Sequence, residues 1–223
     1  MGRIFVPAQI SVGEDSISSR KSKRRVKMRI GIDVDGVLTD LEQYLWDYGS
    51  KYLNELNQDI SIDHTQYNTL ATFGWSIEKD DMFWHGTYDN YSKNVEIRKF
   101  ASEVIKKLKK EGHEIYIITA RGHDSWVLNR NKSDKMLKKW LRINKVKYDK
   151  LIFTEANKLE HCLKNNIDIM IDDCPYNIRQ ISKKVPMICM HANYNARMRG
   201  KNIVRCHSWY EIYDRISSLT ILN

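Results

Sequence analysis

Three prolines, ten glycines and four cysteines are few for 223 residues, and each scarcity excludes something. No Pro/Gly-rich tract, internal repeat or low-complexity segment divides the chain. Cys162, Cys174, Cys189 and Cys206 include no Cys-x-x-Cys pair. That spacing argues against a zinc site and a disulfide framework, and it predicts a reducing, cytoplasmic setting. No apolar run approaches the roughly 20 residues a membrane-spanning helix needs. The stretch 4–10 is too short for a secretory h-region, and its basic residues follow rather than precede it, so no signal peptide is expected. Val6 stands where a myristoylation signal requires Ser or Thr.

Charge is plentiful but uneven. The formal net charge is +9. Residues 1–27 hold Arg3, Arg20, Lys21, Lys23, Arg24, Arg25 and Lys27 against Glu14 and Asp15, so more than half of the excess lies there. Such an arm can contact nucleic acid or an anionic surface. Its lack of hydrophobic periodicity reads instead as a solvated extension outside the folding unit. The remaining composition, 42% hydrophobic and 29% charged over the whole chain, is that of a globular protein with room for one core and a small accessory lobe.

From Met28 the pattern becomes structural. Residues 28–32 read as a short buried strand running into Asp33-Val34-Asp35-Gly36. A helical spacing then takes over: Leu41, Tyr44, Leu45, Tyr48, Tyr52, Leu53 and Leu56 predict a helix over 41–57. Residues 60–91 are irregular and aromatic-rich, with a short capped helix expected after Ser76. The stretch 41–95 therefore reads as a helical insert. Beyond it, helices near 100–108, 133–143, 155–165 and 175–184 alternate with strands at 114–118, 150–153, 167–171 and 186–190. Ser133 is the expected N-cap of the second of these helices, and Pro175 can open the fourth. A final helix follows Ser208, whose spacing to Glu211 matches a capping box. This alternation predicts an α/β fold, a doubly wound parallel sheet covered on both faces, with ligands beyond the carboxyl ends of the strands.

Those ends carry the chemistry. Asp33 and Asp35 close the first strand, Thr119 the second, and Asp172-Asp173 the fourth, with Lys158 nearby. Like charges at the end of a buried strand repel and are costly to desolvate, so something must offset them. A divalent cation is the simplest candidate, and hard oxygen ligands point to Mg²⁺. An Asp-x-Asp-Gly string also forms ordinary turns, but the remaining acceptors of a calcium loop are absent. Thr119 and Lys158 can grip an anion, and an anion beside a carboxylate-held metal suggests a phosphate ester. The competing readings are structural: Thr119 as a helix cap, Lys158 as a surface lysine, Asp40 as a helix cap and Arg121 as an ion-pair partner. The seven histidines show no ligand spacing, and His123-Asp124 reads as a polar loop. The aromatics of the insert read mainly as its core, with Phe73, Trp75 and Trp84 as candidates to stack on a base.

Taken together, Asp33-x-Asp35-Gly-Val, Thr119, Lys158 and Asp172-Asp173 resemble, in order, the four motifs of the haloacid-dehalogenase-like hydrolases. The resemblance spans about 28–215. It is strongest to the 5′(3′)-deoxyribonucleotidase group, through Val95-Glu-Ile-Arg98, Ile117-Ile-Thr-Ala-Arg121, Ile171-Asp-Asp-Cys-Pro175 and Trp209-Tyr-Glu-Ile212. It implies a catalytic core of 28–40 and 96–223 with a helical cap at 41–95. It implies Asp33 as the nucleophile forming an aspartyl-phosphate, and Asp35 as the group that protonates the leaving alcohol and then activates water. Thr119, Ala120, Arg121 and Lys158 would bind the phosphorylated substrate. Asp33, the Asp35 carbonyl and one of Asp172 or Asp173 would ligate Mg²⁺. The implied substrate is a nucleoside monophosphate. A sugar phosphate, a nucleic-acid end reached through the basic arm, and a non-catalytic binding module on the same scaffold are the other readings.

Overall fold

Consecutive strand residues part to opposite faces of the sheet. Ile30, Ile32, Ile115, Ile117, Ile169, Ile171, Ile188 and Met190 pack in one core. Ile118, Met170, Met187 and Cys189, at the alternate positions, pack in a second. A strand buried on both faces has no solvent side, which is why these segments read as unbroken apolar runs. The computed structural model describes residues 26–221 apart from 123–126, 128 and 156, and the side chains of residues 220 and 221 are also undescribed. Residues 1–25 of the basic arm and the His123-Asp124 pair thus lie outside the described residues.

Six parallel strands, β1 (Arg29–Ile32), β2 (Glu114–Thr119), β3 (Lys150–Phe153), β4 (Ile169–Asp172), β5 (Met187–Met190) and β6 (Ile203–Cys206), form one sheet in the order β3-β2-β1-β4-β5-β6. The order reverses at β1, so the crevice at the carboxyl ends of β1 and β4 is the topological switch point. Helices α4 (Ala101–Lys110), α5 (Arg130–Ile143) and α8 (Trp209–Ile221) cover the first core through Val104, Ile105, Leu108, Leu137, Trp140, Leu141, Trp209, Ile212 and Ile216. Helices α6 (Lys158–Lys164) and α7 (Pro175–Ile181) cover the second through Cys162, Ile178 and Ile181.

Between β1 and β2 lie α1 (Leu41–Glu55), α2 (Thr69–Phe73) and α3 (Ile77–Asn94). They share an apolar cluster of Leu45, Leu53, Phe73, Trp75 and Phe83. Phe73 and Trp75 stack with centroids 4.4 Å apart inside that cluster, so they hold the insert together. The insert enters and leaves the sheet at one clasp. Thr39 and Ile97 form an isolated antiparallel bridge. The Arg98 amide donates to the Leu38 carbonyl at 2.7 Å, and its side chain reaches the Thr39 carbonyl and Asp40. Asp40 also caps α1, accepting from the Gln43 amide.

Several boundaries differ from the sequence expectation. Helix α3 has 18 residues rather than one short turn. Helix α5 begins at Arg130 with Asn129 as its cap, and Ser133 sits buried inside it, bonded to the Tyr88 hydroxyl. Helix α6 begins at Lys158, capped by Asn157. Strand β6 is an addition to the strands expected from sequence. The Ser208 box is half formed: Ser208 accepts from the Glu211 amide, but the Glu211 carboxylate takes the amide of His207. Among the described residues, no helix is long and apolar enough to cross a membrane.

Candidate active site

The Asp33 amide donates to the Ile171 carbonyl at 3.0 Å, which extends β1–β4 pairing by one residue and fixes Asp33 at the crevice. The chain then turns tightly, with the amides of Leu38 and Thr39 both donating to the Val34 carbonyl. Gly36 makes the turn possible at φ +74°. A Cβ there would fall on the Asp173 carboxylate, so the glycine also admits the second acidic pair.

One member of the first acidic pair meets both members of the second. Carboxylate oxygens of Asp33, Asp172 and Asp173 lie within 4.8 Å of one another, all buried. Lys158 ties two of them, with its Nζ 2.7 Å from Asp33 and 2.9 Å from Asp172. Its place at the first position of α6 lets the long side chain reach back over the sheet ends, and it is buried rather than a surface lysine. Asp172 is saturated, because Asn177 and the Cys174 amide also donate to it. Asp173 is not. Tyr194 donates to its Oδ2, while its buried Oδ1 has no hydrogen-bond partner among the described residues. Asp33 Oδ1 accepts from the Val34 amide at 2.7 Å.

Asp35 lies outside that cluster. The Arg121 Nε sits 2.9 and 3.1 Å from its two oxygens, and the Tyr91 hydroxyl donates to it. Arg121 is buried, 4.7 Å above the Tyr91 ring, and thus serves as an ion-pair partner in this state. Thr119, fully buried, accepts from the Arg121 amide at 3.1 Å and shapes the loop after β2; it does not cap α5. Ala120 and Arg121 line a cavity of about 360 Å³ that opens over Asp33, Asp35 and Lys158. Its far wall comes from the insert, including Tyr67, Trp84 and Tyr88.

The electrostatics follow from burial. Desolvation is the main cause that pushes Asp33 up to about 7; Lys158 opposes it, and the Asp172 and Asp35 charges add to it. Burial, then repulsion from Asp172 and Asp33, raises Asp173 well above the usual carboxylate range. Burial alone would lower Lys158, but Asp172 and Asp33 outweigh it and hold its pKa above the ordinary value. With all four carboxylates ionised, they would face only Lys158 and Arg121 and leave two negative charges uncompensated, which adds to those shifts. That deficit, the orphaned Asp173 oxygen and the all-oxygen donor set fit a divalent metal ion. Among the described residues this is the one such cluster of metal-ligating side chains.

Sequence reasoning missed Asn177, Tyr91 and Tyr194. Asn177 carried a positional signal, standing in the first turn of a helix opened by Pro175. Tyr91 and Tyr194 come from a stretch without periodicity and from the 3₁₀ turn Asn193–Asn195, and only the tertiary fold brings them in.

The family described as "5' nucleotidase, deoxy (Pyrimidine), cytosolic type C protein" matches residues 27–221. The chain belongs to this nucleotidase family. It is accordingly a hydrolase of the phosphatase and nucleotidase class. A Clostridium acetobutylicum protein named "Nucleotidase CA_C3379" is 26% identical over 196 residues, covering 86% of this chain and 95% of that one. In fold, this nucleotidase is similar to a haloacid-dehalogenase-superfamily hydrolase of Geobacter sulfurreducens (TM-score 0.56, 16% identity, 87% of this chain and 99% of that one). It is likewise similar to a haloacid-dehalogenase-like family hydrolase of Xanthomonas campestris (TM-score 0.59, 10% identity, 88% and 97%).

Proposed function

We propose that the chain is a Mg²⁺-dependent phosphomonoesterase acting on nucleoside monophosphates through a phospho-aspartate on Asp33. The observation that carries this reading is the buried cluster of Asp33, Asp172 and Asp173, which meets the cavity through Asp33 and through Lys158, the bridge between Asp33 and Asp172. Asp33, the Asp35 carbonyl and Asp173 would hold the ion, since Asp173 keeps a free oxygen while Asp172 is occupied by Lys158, Asn177 and a backbone amide. When bound, the ion neutralises phosphoryl charge that would otherwise repel a carboxylate nucleophile.

The remaining roles belong to the chain. A carboxylate oxygen of Asp33 attacks phosphorus, forming the Asp33 O–P bond as the ester P–O bond breaks. Asp35, protonated at the start of the cycle, gives that proton to the leaving oxygen and ends the step as the carboxylate that Arg121 and Tyr91 hold. A water then attacks the aspartyl-phosphate, losing its proton to Asp35 and releasing phosphate and Asp33. Lys158, Ala120 and Arg121 line the phosphoryl end, with Thr119 buried behind them shaping the loop. The insert, residues 41–95, acts as a cap that closes the cavity over the substrate. Its aromatic side chains, Tyr67, Trp84 and Tyr88, favour a nucleotide over a bare sugar phosphate.

The test is a panel of nucleotide and sugar monophosphates with Asp33→Asn beside the parent. The variant should lose at least a thousandfold in turnover on every substrate, and a chelator should silence the parent until Mg²⁺ is restored. Near-full activity of the variant would refute the nucleophile assignment.

A further inference from the structure

Asp80 is a carboxylate in the wrong place for a phosphate site. It lines the cavity from the insert, in the first turn of α3, where among the described residues it is the insert's sole acidic lining group. A site that must admit a phosphate dianion gains nothing from an added negative charge. The charge therefore belongs to a part of the substrate that donates hydrogen bonds.

The local network fixes which atoms are available. The Trp84 indole N–H donates to Thr69 Oγ1 at 3.2 Å, and the Thr69 hydroxyl donates in turn to Asp80 Oδ1. Every donor in this relay points toward the carboxylate, so Asp80 terminates it as an acceptor. Its Oδ2 has no partner among the described residues. Beside it, Asn68, another lining residue, spends its side-chain oxygen on capping α2, accepting from the Ala71 amide at 2.8 Å. Trp84 lines the same cavity as the carboxylate. Half-burial raises the Asp80 carboxyl above its ordinary value and the Thr69 hydrogen bond opposes this, so a ligand donor would relieve a group the fold leaves partly desolvated.

We infer that Asp80 is a specificity residue, accepting an N–H donor from the edge of a nucleobase that lies against Trp84, with Thr69 aiming it. This rests on the nucleotide reading above and adds to it a recognition residue outside the reacting groups. A site built to accept a substrate hydrogen bond discriminates, because an analogue without the donor leaves the half-buried acceptor unpaired.

The experiment measures kcat/KM for a set of deoxynucleoside 5′-monophosphates and for deoxyribose 5-phosphate, which has the sugar and phosphate but no base. Parent, Asp80→Asn and Thr69→Val are compared, with thermal unfolding to confirm that each is folded. The quantity read is the ratio of the best nucleotide to deoxyribose 5-phosphate. It should fall tenfold or more in Asp80→Asn, through KM rather than kcat, and move in the same direction in Thr69→Val. A ratio unchanged within twofold overturns the assignment while leaving the nucleotidase reading intact. An equal fall on both substrates identifies a sugar hydroxyl as the donor and overturns it too. A parent that hydrolyses deoxyribose 5-phosphate but no nucleotide overturns the nucleotide reading and this inference together.

Discussion

Lys158 is the residue on which the charge balance of the site turns. Its ammonium lies within ion-pair distance of both Asp33 and Asp172, and all three groups are buried. Breaking a buried ion pair by removing one partner costs about 3–5 kcal/mol, because the partner charge is left without compensation. Lys158→Ala in metal-free solution should therefore lower unfolding stability by roughly that amount at pH 8. At pH 5 the loss should be smaller, since Asp33, already shifted up to about 7 by burial, is protonated there and leaves less charge to compensate. Urea titrations at the two pH values measure the difference, and equal losses would contradict this account. The sequence showed a lysine near the right strand end but not its burial, because Lys150, Lys158 and Lys164 look alike until α6 is seen to start at Lys158.

At the level of elements, the turn after β1 and the middle of α3 make opposite demands on glycine. Gly36 adopts φ +74°, and a methyl group there would fall on Asp173. Gly86 lies inside α3, where an added methyl group would meet nothing within 4 Å. Gly36→Ala should destabilise the protein by more than about 1 kcal/mol and abolish turnover, because αL strain adds to displacement of a metal-site carboxylate. Gly86→Ala should stabilise it by about 0.5–1 kcal/mol through helix propensity alone. Chemical denaturation of the pair tests both signs. The elements that carry the acidic residues are legible in the sequence because α/β alternation leaves strong signatures: short, mostly apolar runs for β1 and β4, and the Val104, Ile105, Leu108 face for α4. Helix α3 looks shorter in the sequence than it is because its inner face is built from Phe83, Tyr91 and Ser92 spread over 18 residues, a weak periodic signal. Strand β6 leaves little trace because it is a four-residue edge strand with only Cys206 fully buried. Ser133 has the chemistry of a cap, but it is spent on Tyr88 of the insert, a contact that exists only in the folded chain.

For the molecule as a whole, the site couples folding, protons and metal. In chelator, the raised Asp33 pKa means that the folded chain binds a proton which the unfolded chain, near the ordinary value of about 3.9, does not. That contribution to stability is complete below about pH 4 and is lost as pH rises through about 7. A divalent ion binds only the ionised carboxylates and so works in the opposite direction. Saturating Mg²⁺ should therefore raise the melting temperature more at pH 8 than at pH 5.5, and equal shifts would argue against Asp33 as a ligand.

The bridge between Thr39 and Ile97 has a further consequence. Because the outgoing and returning chain are pinned side by side, the backbone of the insert meets the sheet at two adjacent anchor points, and its side chains add holds of their own, Tyr88 on Ser133 and Tyr91 on Asp35. Substrate preference can then drift through the rest of the hung segment, while the acidic crevice keeps its geometry as long as Tyr91 and Tyr88 are retained.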